Sequence, residues 1–359
     1  MEWYRLKTVG IKESVIRKLM AEFESYQEIF MLDRNKLKKY FQLDDDTINS
    51  IYISRNKDLT KEKEKLENLE IKIISLKDEE YPESLKNISQ PPLFLHYRGD
   101  ISLASNKKII GIVGTRRATV YGKNACERIV DDLVLGGVVT VSGLASGIDT
   151  ICHKRTLERG GKTIAVVGSG LDVIYPSENK KYWKEIGEKG LIISEFPLGT
   201  PPNNFNFPMR NRIIAGLSRG VAVVESKAKG GSLITSYIAL EEGRDVFAVP
   251  GDIFSPVSVG TNELIKKSEA KLITSGKDIL EEYNWNFSEK EEKEKNNTNN
   301  IPMNEIERKI YNILSTEKNL DEIILESGIK AGNLLALLME MEIKEIISSV
   351  SGGKYRRKK

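Results

Sequence analysis

The chain has 359 residues, 40% of them apolar and 30% charged, with a formal net charge of +3. Such a length calls for two or three domains, and the composition is that of folded globular proteins, not of disordered or fibrous ones. A charge so nearly balanced excludes nucleic-acid binding by bulk electrostatics, so any such partner must be held by local basic patches.

Residues 1–69 are expected to form a small helical domain. Helices are predicted at Ile11 to Phe23 (Val15, Ile16, Leu19 and Met20 on one face), Tyr26 to Phe30 and Leu37 to Phe41. One charged helix should then run from Asp45 to Leu69. The apolar spacing of i, i+1, i+4, i+5 is what an amphipathic helix requires. The Leu6-x-x-Val9-Gly10-Ile11 opening looks like a sterile-alpha-motif or helix–hairpin–helix bundle, and a plain helical cap fits the same pattern.

From Ile71 to Gly99 the chain turns extended, because Pro82, Pro91 and Pro92 forbid a long helix. Leu93-Phe94-Leu95 is read as a strand leading into a main sheet. Strands are then expected at 109–113, 138–141, 164–167, 191–194, 221–225, 246–249 and 271–274. Helices alternate with them near 121–135, 148–159, 179–189, 209–217, 232–242, 261–267 and 276–283. Val/Ile-rich strands without polar alternation are buried on both faces, which implies a doubly wound, mostly parallel sheet over residues 70–285. In such sheets ligands lie beyond the carboxyl ends of the strands, where the winding reverses.

Residues 286–302, NFSEKEEKEKNNTNNIP, have almost nothing to bury and read as a disordered linker. Residues 303–359 follow as three short helices (Asn304 to Leu314, Leu320 to Glu326, Asn333 to Met341), a strand at Ile343 to Ile347 and a glycine turn, the pattern of a winged helix. The two cysteines, Cys126 and Cys152, have no metal-ligand spacing and cannot build a disulfide framework, so buried free thiols are expected and a metal is not. The opening MEWYRLKTVG lacks an apolar signal region, and no run approaches eighteen apolar residues. A cytoplasmic protein that does not enter a membrane is therefore expected.

Anion-binding chemistry concentrates in the loops. Gly114-Thr115-Arg116-Arg117 breaks a buried strand and enters a helix; Ser142-Gly143-Leu144-Ala145-Ser146-Gly147 does the same some thirty residues later. Such loops leave free N–H groups at a helix start, where the helix dipole favours negative charge. Lys229-Gly230-Gly231-Ser232 is a third case. The segment Pro197 to Arg212 adds Phe205, Phe207, Arg210, Asn211 and Arg212. Aromatic faces stack bases and guanidinium forks grip phosphates, a single-strand arrangement in miniature; the alternative buries one phenylalanine and pairs the arginines with acids such as Glu195. Phe205 and Phe207 are expected in an extended segment with both rings on one side. Several loops on one sheet edge suit successive phosphates of a polymer.

No catalytic set assembles. Only His96 and His153 are present, and a lone helical histidine is a packing residue before it is a base; Asp149 is read as a helix cap. Gly168-Ser169-Gly170 lacks the third glycine of a dinucleotide fingerprint, and Tyr175-Pro176 breaks the helix that would receive a pyrophosphate, so no cofactor is expected.

The runs VGTRRATVYG, SGLASGID, GSGLDVIYPSEN, SEFPLGTPP, NFPMRNRIIAGLS, GGSLIT and FAVPGDIFSPVSVGTN, in this order, resemble the DNA-processing protein A (DprA/Smf) family. The resemblance covers residues 70–285 almost continuously. It implies an extended Rossmann fold that binds single-stranded DNA without sequence preference, protects DNA imported in natural transformation, and loads the RecA recombinase as a homodimer. By motif, Gly114, Thr115 and Arg116 would form the phosphate-binding turn, with Ser142, Gly143 and Gly147 lining the neighbouring loop. Phe207, Arg210, Asn211 and Arg212 match the family's N-F-P-x-R-N-R segment, and Gly231 and Ser232 its glycine-serine loop. Asn203-Asn204-Phe205-Asn206 stands where many relatives are more basic. The rival reading is a nucleoside-monophosphate phosphoribohydrolase, but Gly230-Gly231 meets no acid before Glu241, which leaves hydrolysis without an acid or nucleophile. Binding without catalytic turnover is the expectation.

Overall fold

The computed structural model describes residues 1–285, 303–344, 346–350 and 353–357. The chain forms two compact units, Met1–Phe287 and Ser288–Lys359. The linker expected at 286–302 and the basic end at Lys358 and Lys359 lie outside the described residues.

The first unit opens with helices α1 (Tyr4–Thr8), α2 (Glu13–Glu22), a 3-10 turn (Tyr26–Met31), α3 (Arg34–Phe41), α4 (Asp45–Arg55) and α5 (Thr60–Asn68). Leu6, Ile16, Leu19, Ile29, Leu37 and Ile51 are fully enclosed in their common core, which Leu93 and Phe94 of the following sheet complete. The single helix expected over Asp45 to Leu69 is two. Asp58 takes the N–H and hydroxyl of Thr60 (2.9 and 2.6 Å), a local bond that competes with helix continuation and starts α5 afresh, while Leu59 sinks into the interior.

The sheet that follows has nine strands, interleaved with helices in chain order: β1 (Lys72–Ser75), α6 (Glu83–Lys86), β2 (Phe94–Gly99), β3 (Ile109–Val113), α7 (Val120–Leu135), β4 (Val139–Ser142), α8 (Ile148–Glu158) and β5 (Thr163–Val166). Then come α9 (Lys180–Lys189), β6 (Leu191–Ser194), α10 (Asn206–Leu217), β7 (Gly220–Val223), α11 (Gly231–Glu241), β8 (Asp245–Ala248), α12 (Val259–Lys266), β9 (Lys271–Leu272) and α13 (Gly276–Glu282). Their spatial order is β1-β2-β6-β5-β4-β3-β7-β8-β9. All pairings from β6 to β9 are parallel; β1 and β2 are antiparallel additions at one edge. The α/β, mostly parallel sheet expected from the Val/Ile runs is therefore present.

Alternation along β3 sends Ile109 and Val113 to a core shared with α10 and α11, and Ile110 and Ile112 to one shared with α7, α8 and α13. Helices thus cover both faces, as fully buried strands require. The chain winds outward from β3 through β4, β5 and β6, then returns through α10 to place β7 on the other side of β3. The carboxyl ends of β3 and β7 consequently diverge into oppositely directed loops, and a crevice opens between them.

The second unit holds α14 (Glu305–Ile313), β10 (Lys318–Asn319), α15 (Leu320–Ser327), α16 (Ala331–Ile343), β11 (Ile347–Val350) and β12 (Lys354–Arg357). The strands form an antiparallel sheet in the order β10-β12-β11. The strand expected at Ile343 to Ile347 starts later, because α16 continues through Ile343. Ile310, Ile323, Leu334, Leu338, Met341 and Ile347 make its core. Asn304 and Asn319 each form a reciprocal capping box, with Glu307 and Glu322.

Candidate nucleic-acid interface at the carboxyl edge of the sheet

A cleft of about 350 Å³ occupies the crevice between β3 and β7. Its walls are the turn after β3 (Gly114, Thr115, Arg116), one stripe of α10 (Phe207, Arg210, Asn211, Ile214), and the loop that starts α11 (Ser226, Lys227, Gly230, Gly231, Ser232). The stripe on α10 has the spacing i, i+3, i+4, i+7, so one face of one helix supplies it. At the amino end of α11 the first N–H groups have no intrahelical acceptor, and the dipole there attracts an anion.

The loop backbones are fixed by each other. Thr115 N–H donates to Glu225 O (2.8 Å) and Ile148 N–H to Thr115 O (3.2 Å), which ties the β3 turn to the ends of β7 and α8. Gly147, with φ of +81°, leaves room for that turn: a Cβ there would lie 2.3 Å from Thr115 O. Glu225 is consumed as a brace, accepting from Thr119 N–H (3.0 Å) and from the Thr119 hydroxyl, which itself caps α7. Ser232 Oγ donates to Ser226 Oγ (2.8 Å), closing the α11 loop from within.

Charge is layered. Arg116, Arg117, Lys227 and Lys229 are exposed, and none has a carboxylate partner within salt-bridge distance among the described residues. Beneath them Arg210 is only 5% exposed. Its guanidinium donates to Val166 O and fills the space a side chain at position 143 would need, 2.3 Å from an ideal Cβ on Gly143. Burial pushes the Arg210 pKa down to about 10, against the pull of nearby Asp149. Asp149 is also buried; it accepts from the N–H groups of Gly143 (3.1 Å) and Ala145 (3.4 Å), and burial raises its carboxyl above the usual range despite Arg210 and those donors. Its bonds hold a loop; they present no free acid to a ligand.

Sequence-expected residues therefore separate. Gly114, Thr115, Arg116, Phe207, Arg210, Asn211, Gly231 and Ser232 come together at the cleft. Ser142, Gly143, Gly147 and Arg212 do not line it. The Ser142 hydroxyl is spent on Ile112 O (2.6 Å), and Gly143 and Gly147 act as spacers. Arg212 turns away along α10 to pair with Glu195 and Gln90 O (2.7 Å), the acid-paired alternative foreseen for these arginines. The extended course expected for Phe205 to Phe207 is also corrected: α10 already begins at Asn206, so the rings diverge, Phe205 80% exposed and Phe207 half-buried. Lys227, Ser226 and Thr235 escaped the sequence reading as cleft residues. The lysine spacing Lys227-Ala228-Lys229-Gly230 just before a glycine turn is the signal that marks Lys227.

Other candidates are accounted for by packing. Phe207 lies against Gly168, and Gly170 lies against Pro197 O, so the Gly168-Ser169-Gly170 loop is filled by protein. His153 is fully buried with Nδ1 bonded to Thr163 Oγ1 (2.7 Å), and burial lowers its pKa to about 3. Among the described residues no group of three or more His, Cys, Asp and Glu is placed to hold a metal ion, and no helix is long and apolar enough to cross a membrane.

Fold and cleft define a Rossmann-type α/β protein whose switch point opens into a cleft lined by glycine turns, a helix amino end and exposed cations. The model of the family "DNA recombination-mediator protein A" matches residues 72–284, and the chain belongs to that family. It is 41% identical over 295 residues to the DNA processing protein DprA of Streptococcus pneumoniae, covering 79% of this chain and 98% of that protein. It is 47% identical over 212 residues to DprA of Bacillus subtilis, covering 59% of this chain and 71% of that protein. The crystal structure of the S. pneumoniae protein superposes with a TM-score of 0.67 at 38% identity, over 79% of this chain and 98% of that one. DprA from Helicobacter pylori, described for its single-stranded DNA binding mode, gives 0.55 at 31% identity, over 59% of this chain and 95% of that one.

Proposed function

We propose that this protein binds single-stranded DNA without sequence preference in the processing of DNA taken up during natural transformation, protecting it and loading RecA recombinase onto it. The observation that carries the reading is the cleft: backbone N–H groups at the start of α11 and exposed Arg116 and Lys227 converge on one edge of the sheet. Phosphate contacts of this kind carry no sequence information. Family membership and the H. pylori relative's single-stranded DNA binding support the nature of the anion. Gly114, Thr115, Arg116, Asn211, Gly231 and Ser232 would meet the backbone, with Ser142, Gly143, Gly147, Arg210 and Arg212 shaping the loops and Phe207 bracing the edge. Recombinase loading, a homodimer and a cytoplasmic location rest on the family resemblance. So do a sterile-alpha-motif-like role for residues 1–69, a DNA-binding body at 70–285 and a winged helix at 303–359. We assign no catalytic turnover and no cofactor: the carboxylate that lines the cleft, Asp149, is committed to loop N–H groups, and Glu241 lies away from the cleft at the far end of α11.

The test is a length series of single- and double-stranded oligonucleotides at several salt concentrations. Single strands should bind far more tightly, with log K falling against log salt by roughly 0.7 per phosphate held. Equal affinity for blunt duplex, or indifference to salt, overturns the reading. Release of free base from nucleoside monophosphates would overturn the non-enzymatic part.

A further inference from the structure

Phe207 is the aromatic residue that the sequence singles out for stacking, yet its ring is already covered. The guanidinium carbon of Arg116 sits over it at 5.2 Å from the centroid. The ring of Tyr175 stacks on it at 5.9 Å with an interplanar angle of 28°. Its edge rests against Gly168, where an added Cβ would lie 2.9 Å from Cδ1. These contacts leave less of the Phe207 ring free for a base.

Tyr175 is different. It keeps 41% of its surface open, and its hydroxyl has no hydrogen-bond partner among the described residues. Its loop is nonetheless held: Val173 N–H donates to Gly170 O (2.9 Å), and Ser169 Oγ donates to Val173 O (3.0 Å). Phe205 is more exposed, at 80%, but makes no ring contact among the described residues. A held aromatic face loses less freedom on binding than a free one. An aromatic face beside phosphate-binding cations is the combination that single-stranded nucleic acids use, the ring meeting the base and the cation meeting the backbone.

We propose that Tyr175 is a nucleobase-stacking platform, with Phe207 its inner support and Arg116 joining the platform to the phosphate cleft. The inference rests on the single-strand reading above and adds to it the residue that meets a base. It predicts a base-dependent, sequence-tolerant contribution, since every base offers a π face.

The experiment compares full-length wild type, Tyr175→Phe and Tyr175→Ala on oligo-dT and on the same backbone made of abasic sites, with thermal melting as the folding control. Tyr175→Ala should lose roughly 5- to 140-fold on oligo-dT, the range for one stacked base, and little on the abasic strand. Tyr175→Phe should keep wild-type affinity. An equal loss on both strands, or no loss on either, overturns the platform while leaving single-strand binding standing. Wild type failing to bind oligo-dT overturns both. Should Tyr175→Ala not fold, Tyr175→Trp replaces it: its added fluorescence should be quenched by oligo-dT and not by the abasic strand, and no quenching counts against the proposal.

Discussion

Arg116 and Arg210 lie on the same cleft but at different depths, and exchanging each for an uncharged residue should produce opposite phenotypes. Arg116 is exposed, without a carboxylate partner among the described residues, and its guanidinium lies over the face of Phe207. Arg116→Ala therefore removes a cation–π contact of about 0.5–1 kcal/mol. At roughly 2–4 °C per kcal/mol in domains of 150–250 residues, melting should fall by only about 1–4 °C. Loss of one charge-assisted phosphate bond costs about 1.5–3 kcal/mol, roughly 10- to 140-fold in affinity. The log–log salt slope should shrink by roughly 0.7, equally for poly-dT and mixed sequence. Arg210→Met should do the reverse. That side chain is buried, bonded to Val166 O and close enough to Asp149 to shift its titration. Removing it leaves Val166 O without its buried donor and takes a nearby positive charge from Asp149, at about 1–3 kcal/mol of stability and a melting drop of several degrees. Fluorescence anisotropy over a salt series, with melting curves on the same samples, reads both. An unchanged slope in Arg116→Ala, or an Arg210→Met protein that melts normally but has lost DNA, would refute the layering.

Two glycines give a second contrast. Gly147→Ala should lower stability by at least about 1–2 kcal/mol and weaken binding with it, because its φ of +81° disfavours any Cβ and that Cβ would strike Thr115 O; unchanged melting would dismiss the argument. Gly231→Ala meets nothing within 4 Å and should stay within about 0.5 kcal/mol of wild type, while losing affinity if a phosphate approaches the α11 N–H groups. The histidines predict acid lability. Burial lowers His153 to about 3 and His96 to about 4 from an ordinary 6.5, so both stay neutral in the fold while the unfolded chain takes up protons. Their stability contribution is complete above pH 6.5 and is lost on acidification at about 1.4 kcal/mol per pH unit each. Asp149 and Glu195, raised by burial, change stability in the opposite sense, and cancel when His153→Gln is compared with wild type. Urea midpoints should show a flatter acid limb in that variant; parallel limbs would contradict the assignment.

What could be read from the sequence was whatever repeats along the chain. Ile109 to Val113 and Val221 to Val224 are apolar without interruption, and only a strand covered on both faces needs that pattern. The glycine turns after them were visible because each breaks such a run. The helix over Asp45 to Leu69 was misjudged where a local bond outweighed propensity: Asp58 restarts the chain at Thr60, and no periodicity encodes that. The cleft failed at the same scale. With α10 expected near residue 209, Phe207 falls in a loop and not on the helix face that carries Arg210. Starting the helix at Asn206 puts Phe207 in register with Arg210, Asn211 and Ile214, while Arg212 lies on the other side of the helix against Glu195. Three residues of boundary thus decide whether Phe207 shares a helix face with Arg210; the two arginines, two positions apart, face away from each other wherever the helix begins, and Arg210 reaches the cleft from below. Tyr175 was legible only as a helix breaker beside Pro176. Its stacking on Phe207 joins segments more than thirty residues apart, and no local pattern reports such a contact.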